Sequence, residues 1–302
     1  MTRPYAIYDV FTDSPLAGNP LAVVFDAAGL DNVSMQAVAR EFNLSETVFV
    51  LPPEAPAQTA RIRIFMPGGE LPFAGHPTVG TAIALAERDG GTDLDRLLVL
   101  GENVGNVRCA VRREGEAGYA EFDLPRLPEP HPCDLDRAAV AAALGLDAAD
   151  IGFENHVVSA WTAGVPYVCV PIHGLEAAAR ARFNAALWLA LFEESDPLAV
   201  PCPFVYCRDT VRHDCAFHAR MFAPHHGIDE DPATGSAVAA FAGAIAHFDG
   251  LDDGPTVFGI EQGIEMGRPS HIRLEIDAER GAIRSARIGG AAVKVAEGSL
   301  MV

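Results

Sequence analysis

An internal repeat constrains this chain more than any other feature. Residues 77–84, PTVGTAIA, align without gaps on residues 232–239, PATGSAVA. In both copies a run of alternating residues ends at a proline (Pro67, Pro224), and a short loop carrying a glutamate (Glu70, Glu230) follows. A duplication of this kind requires two halves of one topology. The segments after the match, Val79–Leu85 and Ala237–Ala246, are apolar on nearly every side, so each predicts a helix buried in sheet. A proline in the first helical turn wastes no N–H and has a helical φ already. The N-terminus of such a helix offers unpaired N–H groups and the positive end of its dipole, a place for a carboxylate or enolate oxygen. In this alignment His76 faces Asp231, and if the halves meet about a pseudo-twofold axis both helix ends open on one cleft. Taken singly, Asp231 reads as an N-cap and His76 as a satisfied core residue. As a pair they point to a site built from residues 75–78 and 231–236.

The surrounding pattern is α+β. Strands are predicted at Tyr5–Phe11, Leu21–Phe25, Thr47–Leu51 (preceded by Glu46) and Arg61–Phe65, and strands dominate from Leu97 to Asp123. Ser34 is placed as the cap of a helix reaching Phe42. Four prolines in residues 124–132 mark a linker, giving an N-terminal domain of 1–127 plus about 287–302 and a C-terminal domain of 128–286. Beyond it come a helix at Leu135–Leu144 stopped by Gly145 and strands around Val157–Trp161 and Pro166–Pro171. Helical patterns then run to about Glu194. Further strands follow at Phe204–Cys207, Cys215–Phe222, Thr256–Ile260, Ile272–Ile276, Ala282–Ile288 and Ala292–Ala296.

Composition narrows the function classes. The chain has 302 residues, enough for two cores, and a net charge of −19. That field repels nucleic acid and anionic lipid but does not exclude a small anionic substrate, because a local site can differ in sign from the whole molecule. No apolar run approaches a membrane span and no signal-like segment opens the chain, so a cytoplasmic protein is expected. Six dispersed cysteines read as reduced thiols. Cys202 and Cys207 lack a second pair at zinc-like spacing, and no metal site is expected there.

Five blocks carry a resemblance. They begin at Phe11 with Gly18–Val24, at Ser45 (SETVFV), at Glu70 (ELPFAGHPT), at Asp229 (DEDPATGS) and at Gln262 with Met266–Ser270. In this order, over nearly the whole chain, they resemble the phenazine-biosynthesis isomerase-like family. The resemblance implies the diaminopimelate epimerase-like fold: two pseudo-symmetric domains, each a curved β-sheet wrapped around a central helix, with the active site between them. It implies an isomerase with no metal or organic cofactor, often a homodimer, that moves a proton between carbons of a small, carboxylate-bearing metabolite. It makes Glu46 the acid/base carboxylate, with His76, Asp231 and Ser236 binding and orienting substrate and Gly75 and Gly235 supplying backbone. The chemistry is coherent, because a sheltered carboxylate can take a proton from carbon and return it, while helix amides stabilise the oxygen that gains charge. The epimerase branch uses a cysteine at each helix start. Here those places read Gly75-His76 and Pro232-Ala233, which disfavours a two-thiol racemase.

Three other chemistries remain open on the sequence. A hydrolase would use Ser236 with His76 and Asp231, but Ser236 lies outside any Gly-x-Ser-x-Gly elbow. A binding protein would keep the cleft without the chemistry, against which the intact Glu46 argues. A metal enzyme would draw on His213, His218, His225 and His226, which sit along a strand and its loop.

Overall fold

The computed structural model describes residues 2–90, 94–193 and 196–302. The chain forms two compact units, one running to Pro125 and taking in residues 268–270 and 287–302, the other holding residues 126–267 and 271–286. In the first lie β1 (Thr2–Val10), β2 (Asn19–Val24), α1 (Asn32–Phe42), β3 (Glu46–Leu51), β4 (Ala60–Met66), β5 (Gly69–Leu71), α2 (Gly75–Gly90), β6 (Arg96–Glu102), β7 (Gly105–Glu114) and β8 (Ala117–Asp123). The second opens with β9 (Glu129–His131), α3 (Arg137–Ala143), β10 (Ser159–Thr162), β11 (Pro166–Pro171), α4 (Gly174–Arg180) and α5 (Ala185–Leu189). It continues with β12 (Cys202–Cys207), β13 (Phe217–Ala223), β14 (Ile228–Asp231), α6 (Gly235–Phe248), β15 (Gly254–Gln262) and β16 (Ser270–Glu279). Strand β17 (Ala282–Met301) begins among residues of the second unit and ends in the first.

Pairing in the first unit closes on itself. β17 pairs antiparallel with β1, β1 antiparallel with β2, β2 parallel with β3, β3 antiparallel with β4, and β4 parallel with β6. β6, β7 and β8 then form an antiparallel run, and β8 returns to β17. A closed ladder leaves no edge, and the space inside must be filled. Helix α2 fills it: Val79, Ala82, Ile83, Ala84, Leu85 and Ala86 are buried and the helix touches β1, β2, β3, β6, β7 and β8.

The second unit repeats the order. β10–β11 is antiparallel, β11–β12 parallel, β12–β13 antiparallel, β13–β14 antiparallel and β13–β15 parallel, the same succession as β1 through β6. Helix α6 is buried from Ala237 to Ile245. The short strands carry matching ion pairs: Arg63 holds Glu70 through Nε at 2.8 Å, and Arg220 holds Glu230 through Nε at 2.7 Å.

This duplication corrects the alignment read from the sequence. Both helices follow their short strands after a three-residue loop, α2 starting at Gly75 and α6 at Gly235. The opening helical bonds agree, with Thr78 N donating to Ala74 O at 3.2 Å and Val238 N to Thr234 O at 3.0 Å. So Pro72 matches Pro232, Gly75 matches Gly235, and His76 matches Ser236 rather than Asp231. The eight-residue match lay five positions out of register because small residues recur along both helices. Pro232 accordingly sits in the loop before α6, not in its first turn. The helix-start positions read Gly75-His76 and Gly235-Ser236, still without a cysteine.

Other elements shift more modestly. Asp31, not Ser34, caps α1: its carboxylate accepts from Ser34 N at 2.8 Å while its backbone is extended. The proline-rich linker contains β9, which pairs with β10 through Ala160 and His131. The two expected strands over 282–296 are one, because Gly289 does not break it. A Cβ there would lie 2.4 Å from Tyr119 Oη and 2.8 Å from Glu121 Cβ, so glycine is required by close packing. The helical pattern toward Glu194 resolves into α4 and α5, and Glu194 itself lies outside the described residues. Among the described residues no helix is long and apolar enough to cross a membrane, and all six cysteines are free.

Candidate active site

Each unit carries a cluster at the start of its buried helix. In the first, parallel pairing sets Glu46, the opening residue of β3, beside Leu21 of β2. Neighbours on both sides bury it, to 8% exposure, although strand position alone suggests a solvated edge. His76, in the first turn of α2, places Nε2 at 3.2 Å from Glu46 Oε2. On the other side of the ring Asn19, the first residue of β2, approaches Nδ1 to 3.3 Å through its amide nitrogen. With that amide donating, Nδ1 is the acceptor and Nε2 carries the proton that faces Glu46. Burial pushes the His76 imidazole down to about 3, so the ring is neutral even beside a carboxylate. Gly75 precedes it at the helix start.

In the second unit the side chain of Gln262, the last residue of β15, laces the loop before α6. Its Nε2 donates to Asp231 O at 2.7 Å and to Thr234 Oγ1 at 3.0 Å, and its Oε1 accepts from Thr234 N at 3.1 Å. Thr234 Oγ1 donates to Asp231 Oδ2 at 2.6 Å. Asp231 is thus held at the end of β14, not as the helix cap. Ser236, in the first turn of α6 beside Gly235, has its hydroxyl 2.7 Å from Tyr167 Oη.

Strand register extends the correspondence between the units. Leu21 pairs with Glu46 and Tyr167 with Cys202; Val48 pairs with Ile64 and Phe204 with Met221. Cys202 therefore stands where the first unit has Glu46. Its Sγ lies 3.5 Å from His225 Nε2, and burial pushes the thiol up to about 12. The two clusters are unequal: one presents a carboxylate and a neutral imidazole, the other a protonated thiol and two hydroxyls beside a carboxylate.

Asn19, Gln262, Thr234 (inside the expected 231–236 segment) and Tyr167 were given no role of their own by the sequence. The first three lay inside or next to the blocks quoted above, but their roles come from pairing across elements. The other candidate chemistries meet specific arrangements. Ser236 has a tyrosine partner, and Asp231 is bound to Thr234. His218 is bonded to Glu261 at 2.8 Å and Glu265 at 3.0 Å, which engages both ring nitrogens. His225 approaches Val200 O at 3.2 Å, and the side chain of His226 lies outside the described residues. Among the described residues one group has metal-like spacing, Glu154, His156 and Asp249, and the Arg208 guanidinium already donates to Asp249 and Glu154 there.

The sequence pattern of the phenazine biosynthesis-like proteins matches residues 8–298. A protein of Mesorhizobium japonicum named uncharacterized isomerase mll1393 is 59% identical over 301 residues, covering 100% of this chain and 99% of its own. The trans-2,3-dihydro-3-hydroxyanthranilate isomerase of Pseudomonas aeruginosa is 37% identical, covering 97% of this chain and 98% of its own. The crystal structure of the Bacillus anthracis phenazine biosynthesis protein of the PhzF family superposes with a TM-score of 0.89 at 25% identity, over 100% of both chains.

Proposed function

We propose, from the premise that this chain belongs to the family of phenazine biosynthesis-like proteins, that it is an isomerase that moves a proton between carbons of a small carboxylate-bearing metabolite, with Glu46 as the carrier. The observation that carries this is the pairing of a buried carboxylate with a buried, neutral imidazole whose Nε2 stands 3.2 Å from it, at the N-terminus of a buried helix. A carboxylate in such a place can accept a proton from carbon and give it back at a second carbon, with a fraction of it exchanging with solvent in the interval. A neutral imidazole can hold the carboxylate's orientation, or polarise a substrate oxygen, without competing for the proton. The amides that open α2 at Gly75 suit an oxygen that gains charge between the two transfers, and Gly235 opens α6 of the second unit in the same way. Asp231 and Ser236 are read as substrate-binding groups. The duplicated strand order with a buried helix in each unit supports the diaminopimelate epimerase-like layout. Cys202 in the place of Glu46, with its thiol kept protonated, favours a single carboxylate over two equivalent bases.

The test uses trans-2,3-dihydro-3-hydroxyanthranilate, the compound in the relative's name, and close cyclic carboxylates, in deuterated water with NMR detection. Turnover with partial deuterium incorporation is expected. Glu46→Gln is expected to lower kcat by about 10²–10⁴-fold, the contribution of one general acid/base. Full turnover in that variant overturns the reading.

A further inference from the structure

Glu102 ends β6, and its carboxyl is buried in the first unit although nothing in the proposed reaction uses it. Its Oε1 lies 2.8 Å from Thr78 Oγ1, and Thr78 Oγ1 lies 2.8 Å from Ala74 O. A threonine hydroxyl has one proton and donates once, and a carbonyl has none to give. Both short contacts are hydrogen bonds only when the Glu102 carboxyl is protonated and donates to Thr78, which in turn donates to Ala74. An ionised Glu102 would accept the threonine's single hydrogen bond and leave two bare oxygens facing each other at Ala74. That carbonyl also accepts from Thr78 N at 3.2 Å, so it is the anchor of the first turn of α2, two residues before His76.

We propose that Glu102 is a positioning residue for the isomerase site: as a neutral carboxylic acid it fixes the opening turn of α2 through Thr78 and Ala74, and so holds His76 against Glu46. This rests on the Glu46 reading above. The second unit supports it independently. β4 pairs with β6 at Ala60 and Leu100, and β13 with β15 at Phe217 and Ile260, which sets Glu102 in the place of Gln262. Gln262 ties down the loop before α6 with an uncharged donor, and a protonated Glu102 supplies an uncharged donor at the same position. Unlike the amide, it can lose its proton. The groups that face it are Arg61 from β4, which draws the carboxyl toward ionisation, and Cys109 from β7, itself pushed up by burial and by the charges of Glu102 and Asp123 of β8. Arg61 is turned to Gly101 O at 2.8 Å and to Glu54 at 3.5 Å. Burial outweighs it, and the carboxyl is pushed up to about 8.

The experiment follows the His76 ring by ¹⁵N NMR from pH 5.5 to 9.5, beside the pH profile of turnover, in wild type, Glu102→Gln and Glu102→Met. In wild type the ring signal is expected to move through a titration near pH 8, with kcat falling over the same range. Glu102→Gln keeps a donor toward Thr78, so it should keep kcat within about twofold at pH 6.5 and lose both titrations. Glu102→Met should lower kcat by about tenfold at pH 6.5 with KM little changed, the effect of one misplaced hydrogen bond. A ring titration near pH 8 that persists in Glu102→Gln overturns the proposal, as does a wild-type kcat in Glu102→Met. If Glu102→Met does not fold, the glutamine variant decides alone. The NMR titration needs no turnover, so failure of the Glu46 reading, seen as full activity in Glu46→Gln, is distinguishable from failure of this one.

Discussion

His76 shows how a single residue's chemistry is set by its position. An exposed imidazole would be about half charged near pH 6.5, and a carboxylate neighbour would raise that value further. Burial works the other way and holds the ring neutral down to about 3. The consequence for stability has a definite sign. Between pH 6.5 and 3 the unfolded chain binds a proton at His76 and the native chain does not, so this residue's contribution is present above pH 6.5 and is lost as pH falls. Wild type should therefore lose more stability than His76→Gln between pH 7 and 4.5, by roughly 1–3 kcal/mol, in urea unfolding at the two pH values. Equal losses would mean that the ring takes up a proton in the native state. Little of this was legible in the sequence. Glu46 begins a strand and reads as a solvated edge residue, and its neighbours Leu21 of β2 and His76 of α2 are remote in the chain. Asn19 lies within the Gly18–Val24 segment that carries the family resemblance, yet its bond to His76 spans 57 positions and no local pattern shows it.

At the scale of elements, the buried helices were the most legible part of the chain, because a segment apolar on every side has nowhere else to go. Their register against each other was not legible. Alanine and glycine repeat so often along both that an eight-residue match arose at the wrong offset, whereas the framing residues Glu70, Pro72 and Gly75 against Glu230, Pro232 and Gly235 carry the right one. Glycines within these elements also mislead when read only as breakers. Gly243 lies in the middle of α6, where alanine would be favoured by about 1 kcal/mol on helix propensity alone. A Cβ there would meet Trp161 of β10 at 2.3 Å and 2.8 Å from two atoms of the rigid indole. Overpacking of that kind costs about 1–3 kcal/mol, which outweighs the propensity gain. Gly243→Ala should thus lower the thermal midpoint, and a midpoint at or above that of wild type would show that Trp161 yields without cost.

Across the whole molecule, the same strand order is used twice and equipped differently. Where the first unit has Glu46, His76 and Glu102, the second has Cys202, Ser236 and Gln262, so a duplicated frame carries two carboxyls and an imidazole in one half and a thiol, a hydroxyl and an amide in the other. Placing a carboxyl in the second frame tests whether these positions are equivalent. Gln262→Glu would need its proton to go on donating to Asp231 O, 2.7 Å from the present amide nitrogen, while the buried site resists its charge. Its native-state ionisation is then raised above the unfolded carboxyl's value of about 4.3, and the stability it contributes is present below that pH and lost as pH rises through the native value. Gln262→Glu should match wild type most closely near pH 4.5 and fall behind by about 1–3 kcal/mol by pH 8, measured by urea unfolding. Glu102→Gln should move oppositely, gaining on wild type over the same interval, because it removes a carboxyl that must be kept protonated up to about 8. If the two variants changed in the same direction with pH, the positions would not be interchangeable and the duplicated frame would have to be explained by strand order alone.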